Sequence, residues 1–115
     1  MKVHIIGGGN LGVSIALGLS KFSLDYQVTI TRRNTSSILY LEKIGATVSS
    51  DNTHLIQEAD VIILTIKPYQ VDTVLSEILP VISNKIIASA VSGLSIDNLQ
   101  NKIGDSNTAV RIMPN

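Results

Sequence analysis

The chain has 115 residues, no cysteine, and nine basic against nine acidic side chains, so its formal net charge is zero. That excludes disulfides, thiolate nucleophiles and cysteine-based metal sites, and it leaves no basic field to draw in nucleic acid. The length predicts one domain with a substantial core; charged residues are only 16%, below the usual ~25%, so part of the surface is expected to meet a partner.

Lys2 to Ile6 reads as a short strand rich in β-branched residues. Its apolar stretch breaks at once into glycines, unlike a signal peptide, and no later apolar run could span a bilayer, so the expectation is a cytoplasmic protein with no membrane partner. Gly7, Gly9 and Gly12 follow with the spacing G-x-G-x-x-G. From Asn10 onward Leu11, Ile15, Leu19 and Phe22 recur at helical spacing, so the glycines lie where a strand turns into a helix.

Gln27 to Thr31 is the second predicted strand. Thr35 to Ile44 is predicted helical, with Ile38, Leu41 and Ile44 on one face and Gly45 as its terminator. Ala46 to Ser49 is a third strand, and Asp51 or Asn52 is expected to cap a short helix running to Glu58. Val61 to Ile66 is a near-continuous apolar run, as a central parallel strand covered on both faces would be. Gln70 to Leu79 is a helix that Pro80 ends or kinks. Lys85 to Val91 is strand five, Ser95 caps a helix carrying Ile96, Leu99 and Ile103 before Gly104, and Thr108 to Met113 is strand six. The alternation predicts an α/β fold: a doubly wound parallel sheet of Rossmann type in the order 3-2-1-4-5-6, with helices on both faces and a ligand crevice at the carboxyl ends of strands one and four.

The glycine loop has a physical reading. Gly7 permits the tight turn, Gly9 lets a pyrophosphate approach the backbone, and Gly12 lets the helix lie close to the strand. The pyrophosphate would meet free N–H groups at the positive end of the helix. A glycine-rich turn with no ligand is the alternative. Where NAD-preferring domains carry an acidic residue at the end of the second strand, this chain has Arg32, Arg33 and Asn34. Arginine cannot accept a bond from a ribose hydroxyl but holds a 2′-phosphate well, which predicts NADP, with NADPH preferred over NADH. Two solvated arginines at a strand end would look the same. Thr65-Ile66-Lys67-Pro68 ends strand four, where Lys67 is placed to contact a phosphate or ribose or to help position a substrate; a surface lysine before a turn-forming proline fits equally. Ser89 to Gly93 ends strand five with small residues that leave room for a ring, or simply make a turn. His4 is expected to be structural and His54 exposed. No spacing suggests a metal site or a catalytic triad.

Taken together, Ile6-Gly-Gly-Gly-Asn-Leu-Gly12, Lys67-Pro68, the Ser89 to Gly93 loop and the closing Arg111-Ile-Met-Pro-Asn115 resemble the amino-terminal half of pyrroline-5-carboxylate reductases. The resemblance implies reduction of the cyclic imine 1-pyrroline-5-carboxylate to proline, the last step of proline synthesis, with NADPH or NADH. It implies cofactor contacts at Ile6, Gly7, Gly8, Gly9, Asn10, Leu11 and Gly12, at Arg32 to Asn34, and at Asn52, which would approach the adenosine ribose. Further contacts are implied at Thr65, Ile66, Lys67 and Pro68, and at Ala90, Val91, Ser92 and Gly93. Met113, Pro114 and Asn115 would border the nicotinamide. Members of that family continue into a helical domain that supplies most of the imine pocket and the dimer. Residues 1–115 are therefore expected to be the NADP-binding domain alone, not competent in catalysis by itself, with a homo-oligomer conceivable through the surface that domain would cover. Two alternatives share the motif: another NADP-dependent reductase (F420-dependent or competence-linked), or a nucleotide-binding module without catalysis.

Overall fold

The computed structural model describes residues 1–21 and 25–112. Phe22, Met113, Pro114 and Asn115 lie outside the described residues, and so do the roles expected of them.

Six strands form one parallel sheet in the order β3-β2-β1-β4-β5-β6: β1 (Lys2–Ile6), β2 (Gln27–Thr31), β3 (Thr47–Ser49), β4 (Val61–Leu64), β5 (Ile86–Ser89) and β6 (Thr108–Arg111). The order is the expected one. Among the described residues three α-helices lie in the connections: α1 (Asn10–Lys21) after β1, α2 (Val71–Ile78) after β4 and α3 (Ile96–Ile103) after β5. In register, Ile5 stands between Ile30 and Ile63, and Ile63 lies against Ala88. Ile5, Ile30, Ile62, Leu64 and Ile87 are fully buried, each contributing roughly 1.5–3 kcal/mol through removal from water.

Side chains alternate between two cores. One face carries Ile6, Ile62, Leu64 and Ile87 under α2 and α3. The other carries Val3, Ile5, Val28 and Ile30 under Ala16 of α1 and Ile38 and Leu41 of the β2–β3 connection. The helix face that seats α1 is narrower than the apolar spacing predicts. Gly12 and Ala16 are its buried residues, with Leu11, Ile15 and Leu19 only half-buried beside them. Small residues at i and i+4 let the helix axis approach the sheet.

Several boundaries differ from the sequence reading. The helix expected over Thr35 to Ile44 is a 3-10 segment, Leu39–Ile44. Asn34 Oδ1 accepts bonds from Ser36 N (3.1 Å) and Ser36 Oγ (2.8 Å), a local turn that competes with helix. Ile38 and Leu41 enter the core but Ile44 is 46% exposed. Gly45 ends the segment at φ +95°, as expected. The helix expected from Asp51 or Asn52 to Glu58 shrinks to a 3-10 turn, Ile56–Glu58. Asp51 Oδ1 instead accepts Thr53 N (2.9 Å) and Thr53 Oγ1 (2.8 Å), and Leu55 at φ +64° breaks the run. Strand four stops at Leu64 rather than Ile66, and strand five covers Ile86–Ser89 rather than Lys85 to Val91. Ser95 does cap α3, its Oγ accepting Asn98 N at 3.1 Å, and Gly104 closes it. Pro80 follows α2 in a 3-10 turn, Leu79–Val81.

Candidate functional site

At the end of β1 the chain turns on Gly7, whose N–H donates to the carbonyl of Thr31 at 3.1 Å. Gly7 has φ +110°, and a Cβ there would lie 2.7 Å from the carbonyl oxygen of Thr65. Backbone geometry and space both require glycine at this position. Gly12 is required by packing alone, since a Cβ would sit 2.0 Å from the Gly7 carbonyl oxygen. Gly8 is tucked under Ile38 and Arg32, where a Cβ would meet them at 2.9 and 3.1 Å. Gly9 is the exception: nothing lies within 4 Å of the place its Cβ would take. Three glycines close the turn, and the fourth leaves its outer side open at the start of α1.

Thr65, just beyond β4, locks this loop from the neighbouring strand. Its N–H donates to the Ile6 carbonyl (2.9 Å), and its hydroxyl donates to the Gly7 carbonyl (2.7 Å). The strands on either side of the topological switch are thus joined at their carboxyl ends, the place where sheets of this kind hold ligands. Lys67 takes an extended conformation, as a residue before proline does. Its N–H donates to Gln70 Oε1 and its carbonyl accepts Gln70 N, both at 2.9 Å, while the side chain is exposed. At the end of β5, Ser89 Oγ accepts Val91 N at 3.1 Å, which fixes the turn; Ala90 is half-buried, Val91 is buried, and Ser92 and Gly93 are exposed.

Arg32 and Arg33 are both exposed at the end of β2. Arg32 reaches back across the loop, and its Nη1 donates to the Gly8 carbonyl at 3.0 Å. A guanidinium has five N–H donors, so this bond leaves the others available. Asn34 gives its Oδ1 to the Ser36 turn, which leaves its Nδ2 as a donor. Asn52 is half-buried and bound at both ends: Oδ1 accepts Thr31 Oγ1 at 2.7 Å, and Nδ2 donates to Glu77 Oε2 at 3.0 Å. Sequence reasoning missed Glu77, because an exposed glutamate on an amphipathic helix gives no signal. It also missed the Thr65 hydroxyl as the lock on the loop.

His4 is 1% exposed under this network. Its Nε2 faces the Asn52 carbonyl at 2.9 Å, so that nitrogen carries the proton; Nδ1 has no partner. Burial pushes the imidazole down to about 4, and His4 is neutral at pH 7. Two hydrogen bonds from Thr53 hold the Asp51 carboxyl below its ordinary range. His54 is exposed, as expected. Among the described residues no cluster could hold a metal ion, and no helix is long and apolar enough to cross a membrane.

A crevice of about 310 Å³ lies at the opposite end of the sheet, between the strand starts Lys2, Gln27 and Thr47 and the Leu55–Ala59 segment. It marks no reacting group: Lys2 and Glu58 on its rim pair with each other at 3.0 Å.

Residues 2–93 match the family described as NADP oxidoreductase coenzyme F420-dependent. The chain belongs to this family. Within it the match is to pyrroline-5-carboxylate reductases, over their amino-terminal part. The chain is 37% identical over 116 residues to pyrroline-5-carboxylate reductase 1 of Dictyostelium discoideum, covering 98% of this chain and 21% of that protein. It superposes on the Coxiella burnetii pyrroline-5-carboxylate reductase with a TM-score of 0.85 and 30% identity, over 98% of this chain and 43% of that one. For the Plasmodium falciparum pyrroline carboxylate reductase with NADP bound, the TM-score is 0.84 at 25% identity, over 100% and 42% of the two chains. The family member described here therefore spans less than half the length of these relatives.

Proposed function

We propose that residues 1–115 form the NADP(H)-binding domain of a reductase of the pyrroline-5-carboxylate type. The observation that carries this reading is the loop at the end of β1, where Gly7, Gly8 and Gly12 are filled by neighbours while Gly9 is open. The bound Plasmodium relative supports the choice of cofactor. In this reading the pyrophosphate lies over Gly9, against the N–H groups of Asn10, Leu11 and Gly12 at the start of α1. Ile6 and Thr65 hold that loop in shape. Arg32 and Arg33 take the 2′-phosphate by charge-assisted bonds. Asn52 borders the adenosine ribose, while Ile66, Lys67 and Pro68 line the path toward the nicotinamide. Ala90, Val91, Ser92 and Gly93 border its ring.

When bound, the reduced nicotinamide supplies a hydride to the carbon of a cyclic C=N bond, and proline is the product if the imine is 1-pyrroline-5-carboxylate. The chain's own residues bind and orient the cofactor; none is assigned a proton transfer. The imine pocket belongs to a further domain, as the resemblance implies. The same reading includes a cytoplasmic setting and a contact between copies, or with that further domain, over β5 and β6. There Ile86 and Val110 share the sheet face of Ala88 and are 42% and 38% exposed.

Backbone amide shifts on titration with NADPH test the site. Changes should concentrate at residues 7–12, 32–34, 65–68 and 90–93. Changes confined to the crevice around Lys2, Gln27 and Thr47, or none anywhere, would overturn the reading.

A further inference from the structure

Asn52 has a fixed orientation, and its cause is Glu77. An ionised carboxylate only accepts hydrogen bonds, so the Nδ2 of Asn52 must face it. The Oδ1 is then left for the hydroxyl of Thr31, which donates at 2.7 Å. Glu77 stands on α2, exposed, and makes no ion pair among the described residues; the two salt bridges there are Lys2–Glu58 and Lys102–Asp72. No cationic side chain among the described residues stands within ion-pair distance of it. It is also anchored: two hydrogen bonds and one amide group join it to Thr31, which puts the carboxylate within about 8 Å of the Thr31 hydroxyl. Thr31 is the last residue of β2, and Arg32 follows it. The end of β2 is where this fold meets the 2′ position of the adenosine ribose.

We propose that Glu77 is a specificity residue that holds down the preference for NADPH over NADH. The inference rests on the cofactor reading above. Arg32 and Arg33 attract a 2′-phosphate, and the Glu77 carboxylate repels it from the α2 side of the crevice. A 2′-hydroxyl carries no charge and is indifferent to Glu77. Between partly solvated charges about 8 Å apart, a repulsion of this kind is worth several-fold in affinity and is screened by salt. Asn52, bound at both ends, tethers the carboxylate to the Thr31 end of β2.

The test is Glu77→Gln, which keeps an oxygen acceptor for Asn52 Nδ2 and removes the charge, with Glu77→Lys as a second variant. Dissociation constants for NADPH and NADH are measured at low and high salt. Glu77→Gln should tighten NADPH roughly 3- to 10-fold at low ionic strength, leave NADH within about twofold, and lose most of the difference in 0.5 M salt. Glu77→Lys should move the ratio further in the same direction. A role confined to positioning Asn52 would change both cofactors together and would not respond to salt. If the wild-type chain binds both cofactors and neither variant moves their ratio, Glu77 does not set specificity and this inference falls alone. If the wild-type chain binds neither, the cofactor reading falls and takes the inference with it.

Discussion

Acidification should destabilise this chain well before its carboxylates protonate, and His4 is the reason. In the folded state the imidazole is 1% exposed and its pKa is pushed down to about 4, against 6.5 in an unfolded chain. The unfolded state therefore takes up a proton between those two values and the folded state does not, so stability falls as pH drops from 6.5 toward 4. Over the whole window the loss approaches about 3 kcal/mol, and between pH 7.5 and pH 5 it is about 2 kcal/mol. A domain of this size has a urea slope of about 1–3 kcal/mol per molar, so the midpoint should move by roughly 0.7–2 M. Urea unfolding at half-unit pH steps measures this directly. His4→Gln retains a donor toward the Asn52 carbonyl and removes the titrating group, so its midpoint should stay nearly flat from pH 7.5 to 5. A flat wild-type profile, or an equal slope in the variant, would refute the reasoning.

The glycine loop separates folding from binding. Gly9→Val should leave stability within about 1 kcal/mol, because its side chain enters open space, yet weaken both cofactors at least about tenfold by calorimetry. Gly12→Ala should destabilise the fold by roughly 1–3 kcal/mol in urea, despite alanine's better helix propensity, since its Cβ meets the Gly7 carbonyl oxygen. Arg32→Asp with Arg33→Ala should weaken NADPH by roughly 1.5–3 kcal/mol while NADH changes little; equal losses in a competition titration would remove the arginines from the 2′ corner. Thr65→Val leaves the Gly7 carbonyl without its hydroxyl donor and should cost about 1–2 kcal/mol in thermal or urea unfolding.

The sheet order was legible because each strand is a β-branched run followed by a change of apolar period, and parallel order then follows from the connections. Lys2–Ile6 and Gln27–Thr31 match the expected boundaries residue for residue. The connections at 35–44 and 51–58 were less legible. There the side chains of Asn34 and Asp51 bond to local backbone and hydroxyl groups, and a helix that apolar spacing permits is replaced by turns. In the candidate site, the reasons for glycine at 7 and 12 could be read from spacing, since both depend on the strand-to-helix turn itself. The reason for Gly8 depends on Ile38 and Arg32, the latter 24 residues away across the Arg32–Gly8 contact. Glu77 and Asn52 are 25 residues apart, and their contact exists only because the fold brings α2 to the segment that follows β3. No periodicity records a contact of that kind.

The most direct test of the account is calorimetric titration of the 115-residue chain with NADPH and, in parallel, NADH. The account predicts saturable one-to-one binding of both, tighter for NADPH. Binding of neither, or tighter binding of NADH, would contradict it.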